Sequence, residues 1–88
     1  MSIYRFPPIA DRPRVVKHQI DKLSEEVGEV MEAYLDGDTD DIGVETCNVI
    51  HAAETLLRMI AADGEQVEEW RRKTIEDNAR RGYYKAGA

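Results

Sequence analysis

The chain has 88 residues, a formal net charge of −6 and one cysteine. The acidic balance excludes a general binder of nucleic-acid polymers, because such a protein presents a broad basic face. No apolar run approaches the roughly 20 residues that cross a bilayer, and the N-terminus has no apolar signal-peptide core. We therefore expect a cytoplasmic protein without a membrane partner.

A chain of this length predicts a single domain over residues 1–88 with a thin core. Because Cys47 is the only cysteine, no internal disulfide stabilises that core, and a lone thiol suits a reducing compartment. We therefore expect a homo-oligomer, either a dimer or a dimer of dimers, to supply further burial.

The N-terminal part of the chain predicts an extended arm followed by a long helix. Residues 1–12 form the arm, and helix 1 is predicted to begin after Asp11, with Pro13 in its first turn. Asp36-Gly37-Asp38 ends the helix. Its apolar residues recur in steps of four and three, which predicts a heptad-like buried seam. The seam residues are Val16, Ile20, Leu23, Val27, Val30 and Tyr34.

Two further helices follow, and no segment alternates like a strand. Helix 2 is predicted to be capped by Asp38 or Thr39 and closed by Asp63-Gly64. Helix 3 is predicted from about Glu65 to Arg80, before a tail at 83–88. The fold class is therefore all-α: a two-helix antiparallel hairpin plus a shorter third helix, dimerising into a four-helix-bundle core. The alternative is a monomeric three-helix bundle.

Acidic residues are concentrated in the middle of the chain. Between Leu23 and Leu57 there are ten Asp or Glu residues and no Lys or Arg. Within this region the chain reads E-E-x-x-E, then a gap of fifteen residues, then E-x-x-N. The motif residues are Glu25, Glu26, Glu29, Glu45 and Asn48. Clustered carboxylates repel one another, and a hard divalent cation is a common reason for them.

The helical positions of these acids point to a metal site. At 100° per residue, Glu26 and Glu29 lie beside the seam of helix 1, whereas Glu45 falls within the apolar arc of helix 2. A buried carboxylate needs a cation, a hydrogen-bonding partner or a proton. Antiparallel packing would bring Glu45 level with Glu29, and oxygen ligands suit Mg²⁺, or Mn²⁺ in its place. The alternatives for Glu45 are an exposed edge position or a partner from another subunit.

At these residues the chain resembles the MazG-like superfamily of all-α nucleoside triphosphate pyrophosphohydrolases, which carries E-E-x-x-E, a gap, then E-x-x-D. The resemblance covers about Val16 to Arg81. It implies that an NTP or dNTP is hydrolysed between the α- and β-phosphates to a nucleoside monophosphate and pyrophosphate. The implied metal ligands are Glu26, Glu29, Glu45 and Asn48. The implied catalytic residues are Glu25 and Glu26, with Glu25 orienting a ligand or the water.

The family tail, which has a Lys, an Asn and an Arg-rich turn ending in Tyr, is echoed in the last part of the chain. The implied phosphate-binding residues are Lys22, Lys73, Asn78 and Arg81. One departure concerns Asn48, which stands where the family has Asp and brings an oxygen without charge.

Two other functions remain open. A phosphoribosyl-ATP pyrophosphohydrolase of histidine biosynthesis shares the acidic helix pattern, and Glu45-Thr-Cys-Asn-Val-Ile-His51 partly echoes its sequence. A helical interaction module that is catalytically weak or inactive would explain Asn48. Neither His18 nor His51 has a second histidine or cysteine at metal-ligand spacing, so ordinary surface roles are predicted for both.

Overall fold

The computed structural model describes residues 3–85, and these form three α-helices and no strand. Helix α1 spans Val16–Asp36, α2 spans Thr39–Ile60 and α3 spans Gly64–Arg80. The all-α prediction is therefore confirmed, while the arm and tail predictions for residues 1–2 and 86–88 lie outside the described residues. None of the three helices combines the length and the apolar character needed to cross a membrane.

The described residues fall into two compact units, Tyr4–Ile60 and the part from Ala61 onward together with Ile3. The first unit contains the N-terminal arm, α1 and α2. The second contains α3. Each unit is described below by itself.

The first helix begins later than predicted. Its N-cap is Val15, which has extended backbone and makes no side-chain capping bond, so the expected start after Asp11 is wrong. That start would have placed Arg12 inside the helix directly before Pro13, and a residue before proline disfavours helical backbone. The C-terminal end agrees with the prediction. Gly37 adopts a left-handed φ of 75°, and its N–H donates to the Tyr34 carbonyl at 3.1 Å.

The caps of the other two helices are set by aspartates. The Asp38 carboxylate accepts from the Asp41 N–H at 3.1 Å, which confirms the predicted cap of α2. The prediction that Asp63-Gly64 closes helix 2 is wrong, because α2 already ends at Ile60. Asp63 instead caps the start of α3, where its side chain accepts from the Gln66 N–H at 2.9 Å. Helix α3 then ends at Arg80, as predicted.

Helices α1 and α2 pack against each other as an antiparallel hairpin joined by Gly37 and Asp38. The two helices run in opposite directions, because Gln19 near the start of α1 donates a hydrogen bond to the Ala52 carbonyl in the second half of α2. The residues of α1 that are buried lie on one line with steps of seven. They are Gln19, Glu26 and Ala33.

Four of the six residues in the predicted seam of α1 are exposed, whereas Leu23 and Val30 are half-buried. Val27 is 53% exposed and Tyr34 is 64% exposed. Each residue of the series Ile20, Val27, Tyr34 directly follows a buried residue, so this row of the seam lies about 100° from the buried row. Small side chains such as Ala33 let the two helices approach closely on the buried face, and the row Ile20, Val27, Tyr34 remains at the surface.

Residues 4–6 of the N-terminal arm are attached to α2 through a buried carboxylate and a neighbouring arginine. Glu54 is buried and accepts from the backbone N–H groups of Arg5 and Phe6, both at 2.9 Å. Arg58 donates to the Phe6 carbonyl at 2.9 Å, and its guanidinium lies 3.9 Å from the centre of the Tyr4 ring. The two backbone N–H groups satisfy the Glu54 carboxylate, whose burial would otherwise be unfavourable.

Candidate metal centre

Three carboxylates from the two hairpin helices converge on one point. Glu26 and Glu29 come from α1 and Glu45 comes from α2, and one oxygen from each lies within 4.8 Å of the others. Glu26 and Glu29 share a face because they are three residues apart on a helix. Glu45 joins them because the short link between the helices brings this part of α2 level with Glu29. The predicted convergence of these three residues is observed.

Two oxygens of this cluster are buried without a hydrogen-bond partner. They are Glu26 Oε2 and Glu45 Oε2. Glu26 is only 8% exposed, although the sequence placed it at the margin of the buried face. A buried carboxylate oxygen without a donor loses its hydration and gains nothing in return. The cluster is therefore a candidate cation site, because both oxygens would regain a partner if a cation were bound.

The crowding of negative charge changes the protonation of Glu29. Its pKa is raised from 4.5 to about 7, first by its side-chain hydrogen bond with Glu45 and then by its hydrogen bond with Glu26 and the charge of that carboxylate. The proton relieves repulsion that a metal ion would otherwise relieve. Glu29 is therefore protonated more readily than an isolated glutamate when no cation is present.

Lys22 provides a second partial compensation. Its Nζ lies 3.0 Å from Glu26 Oε1 and 4.0 Å from Glu25, one turn along α1. The hydrogen bond to Glu26 raises the pKa of Lys22. Sequence reasoning assigned Lys22 to phosphate binding and did not pair it with Glu26. Glu25 itself is exposed and lies outside the group of three converging carboxylates.

Asn48 lies at the border of the cluster. It is exposed, and within residues 3–85 its side chain makes no hydrogen bond. Together with Glu26 it lines a small pocket of about 120 Å³. Its role as a neutral fourth ligand stays a prediction.

The remaining phosphate-binding candidates belong to the unit that contains α3. Lys73 lies 3.9 Å from Asp77, and the Asn78 carbonyl accepts from the Tyr83 N–H at 3.0 Å. Arg81 is the C-cap residue after α3, and its N–H donates to the Asp77 carbonyl at 3.2 Å. Their contact with phosphates stays a prediction.

Sequence reasoning missed the residues that hold the arm and the hairpin together. Glu54 and Arg58 bind the arm, and Gln19 joins the helices. A signal for the first two was present, since they are the only charged residues between Ala52 and Ile60 and are spaced by one turn. Gln19 gave no signal, because a single amide near the start of a helix is common.

Comparison of the chain with known protein families, with curated proteins and with solved structures gives no match. The functional argument therefore depends on the residues and geometry of the site.

Proposed function

We propose that this protein is a Mg²⁺-dependent nucleotide pyrophosphohydrolase of the MazG-like type that it resembles. Its reaction would be the hydrolysis of an NTP or dNTP between the α- and β-phosphates, in the cytoplasm. The observation that carries the proposal is the group of three carboxylates within 4.8 Å, two of which have a buried oxygen without a partner.

The donor set fits a hard divalent cation. Glu26, Glu29 and Glu45 offer only oxygen, and no His or Cys belongs to the group of converging ligands among the described residues. Mg²⁺ prefers oxygen and is usually bound by a few carboxylates together with substrate phosphates. When bound, such an ion supplies Lewis acidity and charge neutralisation to a triphosphate. Asn48 would add a neutral oxygen at the edge of the site.

The site residues have different roles in the proposed reaction. Glu29 releases its proton when the site is filled. Lys22 is freed from Glu26 and becomes available to a phosphate, because Glu26 and the phosphate compete for the positive charge of the lysine. Glu25, exposed one turn from Lys22, orients the attacking water. Lys73, Asn78 and Arg81 remain the further candidates for phosphate contacts.

The test is a hydrolysis assay with each NTP and dNTP and with phosphoribosyl-ATP, in Mg²⁺, in which monophosphate and pyrophosphate are measured. We expect turnover that Glu45→Gln reduces by at least about 100-fold, as loss of a group that stabilises developing charge does. Glu32→Gln is the matched control, because Glu32 is an exposed acid of α1 outside the cluster. A folded protein that turns over no nucleotide would refute the proposal. Turnover of phosphoribosyl-ATP alone would assign the histidine-pathway activity.

The exposed seam of α1 supports the proposal of a dimer with a four-helix-bundle core. Met31 is 57% exposed and Leu35 is 74% exposed, and both extend the seam of Val27 and Tyr34. The chain has no large side chain that is fully buried among the described residues, so its own core is thin. A second copy placed on this stripe would bury a continuous heptad-spaced surface.

Light scattering after size exclusion tests the dimer. We expect twice the chain mass of 10.0 kDa, and we expect Met31→Lys to shift the population towards the monomer. Glu32→Lys is the control, because Glu32 is exposed and lies off the seam. A monomeric wild-type protein at 100 μM would refute the dimer but leave the metal site untouched.

A further inference from the structure

The N-terminal arm is bound to one face of α2, mainly through its backbone. Glu54 accepts from two backbone N–H groups of the arm, and Arg58 donates to the Phe6 carbonyl, each at 2.9 Å. His51 Nε2 lies 3.2 Å from the Pro7 carbonyl, and because a carbonyl only accepts, this nitrogen carries the proton. The His51 ring also stacks on Phe6, with 5.0 Å between the ring centres. Since residues 51, 54 and 58 are spaced by three and four along the helix, the arm docks on α2, or leaves it, as a unit.

The docked arm leaves one buried donor without a partner. Within residues 3–85, Arg58 Nη1 is buried and makes no hydrogen bond, although Nη2 of the same group donates to Phe6. A buried donor without a partner costs at least as much free energy as a good hydrogen bond contributes. Release of the arm would return Arg58 and Glu54 to water together, so the released state buries no unpaired charge. The arm is therefore held by a small net free energy, which a change nearby can shift.

Beyond this attachment, the arm lies beside the ion pair of the candidate metal centre. Ile9 follows Pro7 after one intervening residue and lines two pockets on the hairpin. Both pockets are also lined by Gln19 and Lys22, and one of them extends to Glu26. Ile9 therefore places an apolar side chain next to Lys22 and on one approach to Glu26.

The position of Ile9 affects the carboxylates differently with and without a cation. Glu26 is 8% exposed and its Oε2 has no hydrogen-bond partner within the described residues, whereas Lys22 pairs with Oε1. An apolar neighbour removes water, which an empty site needs to hydrate its carboxylates. The same loss of water strengthens the attraction between a bound cation and those carboxylates, because the effective dielectric constant falls. The docked arm is therefore disfavoured beside an empty site and favoured beside a filled one.

We propose that the arm is a strap whose docking on α2 is coupled to cation binding by Glu26, Glu29 and Glu45. A bound divalent cation stabilises the docked arm, and the docked arm strengthens cation binding. Thermodynamic linkage makes the two effects equal in magnitude. The inference rests on the cation site of the proposed function and is independent of the identity of the substrate.

The first measurement follows the arm. Hydrogen exchange of the Phe6 amide, which donates to Glu54, is measured by NMR on the full chain in EDTA and in Mg²⁺ at matched ionic strength. We expect Mg²⁺ to slow this exchange at least about fivefold, the lower end of common coupling factors. The Gln66 amide is the internal control, because it also donates to a carboxylate, that of Asp63, but belongs to the other compact unit. Its exchange should not change.

The second measurement follows the site. Glu54→Ala removes the acceptor that holds the arm, and calorimetry should show Mg²⁺ binding weakened by the factor found for Phe6 exchange. Glu32→Ala is the matched control, because it removes the charge of an exposed acid outside both the cluster and the arm attachment. Stronger or unchanged Mg²⁺ binding in Glu54→Ala would overturn the strap.

A second variant keeps the test decisive if Glu54→Ala disturbs the hairpin. Ile9→Ser removes the apolar neighbour of Lys22 and leaves the polar contacts of the arm with α2 in place. It should weaken Mg²⁺ binding and reduce the effect of Mg²⁺ on Phe6 exchange by the same factor, at least about twofold. Val15→Ser is the control, because Val15 is an exposed apolar residue that lines neither pocket. Equal Mg²⁺ affinity of Ile9→Ser and the wild-type protein would overturn the inference.

The outcomes separate the strap from the proposed function. Mg²⁺ binding without any change in Phe6 exchange overturns the strap and leaves the hydrolase. Coupled Mg²⁺ binding and arm docking without turnover of any triphosphate overturns the hydrolase and leaves the strap. A folded chain that binds no Mg²⁺ overturns both.

Discussion

Replacing Glu45 by glutamine should change the stability of the protein in opposite directions with and without Mg²⁺. In the metal-free protein Glu45 crowds Glu26 and Glu29, and its buried Oε2 has no partner. Glutamine has the same shape, removes one charge and can donate to a neighbouring carboxylate. With Mg²⁺ present, the same change removes a charged ligand.

The separation of the carboxylates sets the magnitude. The three oxygens lie within 4.8 Å of one another, and at that upper limit two like charges repel by about 0.9 kcal/mol in water and about 3.5 kcal/mol at an effective dielectric constant of 20. Lys22 on Glu26 and the proton on Glu29 already offset part of this repulsion. We therefore expect Glu45→Gln to stabilise the metal-free protein by about 1 kcal/mol, or about 4–8 °C in Tm for a domain of this size.

Thermal melting in EDTA and in Mg²⁺ measures both effects. At tenfold the dissociation constant, Mg²⁺ stabilises the wild-type protein by about 1.4 kcal/mol, and we expect the variant to lose most of this gain. Glu32→Gln should show the wild-type response under both conditions. A lower Tm for Glu45→Gln in EDTA would refute the reasoning, because it would make the carboxylate a structural acceptor. Retention of the full Mg²⁺ response would refute it as well.

Further predictions concern pH, the lysine and the arm. Because the pKa of Glu29 is raised from 4.5 to about 7, the folded state binds a proton that the unfolded chain releases. The stability from this group is therefore complete below about pH 4.5 and lost as the pH rises to about 7. Melting in EDTA from pH 5 to 8 should show this fall, and Glu29→Gln should flatten it, while Mg²⁺ affinity rises over the same interval. Lys22→Met should strengthen Mg²⁺ binding about twofold to fivefold, because an exposed ion pair with Glu26 is worth up to about 1 kcal/mol; unchanged affinity by calorimetry would contradict the competition. Glu54→Ala should release the arm and raise amide exchange at Phe6 at least about tenfold, since bonds to a charged acceptor contribute about 1.5–3 kcal/mol each; unchanged exchange would show that Glu54 does not hold the arm.

Much of the carboxylate site is predictable from local sequence patterns. The spacing E-E-x-x-E places Glu26 and Glu29 on one helical face in any register, and the short link after Asp36 makes the approach of Glu45 a geometric consequence. The pairing of Lys22 with Glu26 was also accessible, because the two are four residues apart. The prediction that Lys22 binds a phosphate left this ion pair out of account.

The exposed apolar face of α1 is a feature that local sequence patterns do not predict. Periodicity identified the series Ile20, Val27, Tyr34, and it is present, but the residues one step before it are the ones buried against α2. Both rows repeat every seven residues, so their spacing does not distinguish them. Only the contact between the helices selects the row of Gln19, Glu26 and Ala33.

Local sequence patterns predict the three helices, most of their ends and the alignment of the three carboxylates, because helical periodicity, caps and short links act over a few residues. The tertiary structure decided that Glu26 is buried, that Gln19 joins the helices and that Glu54 holds an arm 48 residues away. Those outcomes depend on which surfaces meet, and contacts between distant parts of the chain leave no local pattern from which to predict them.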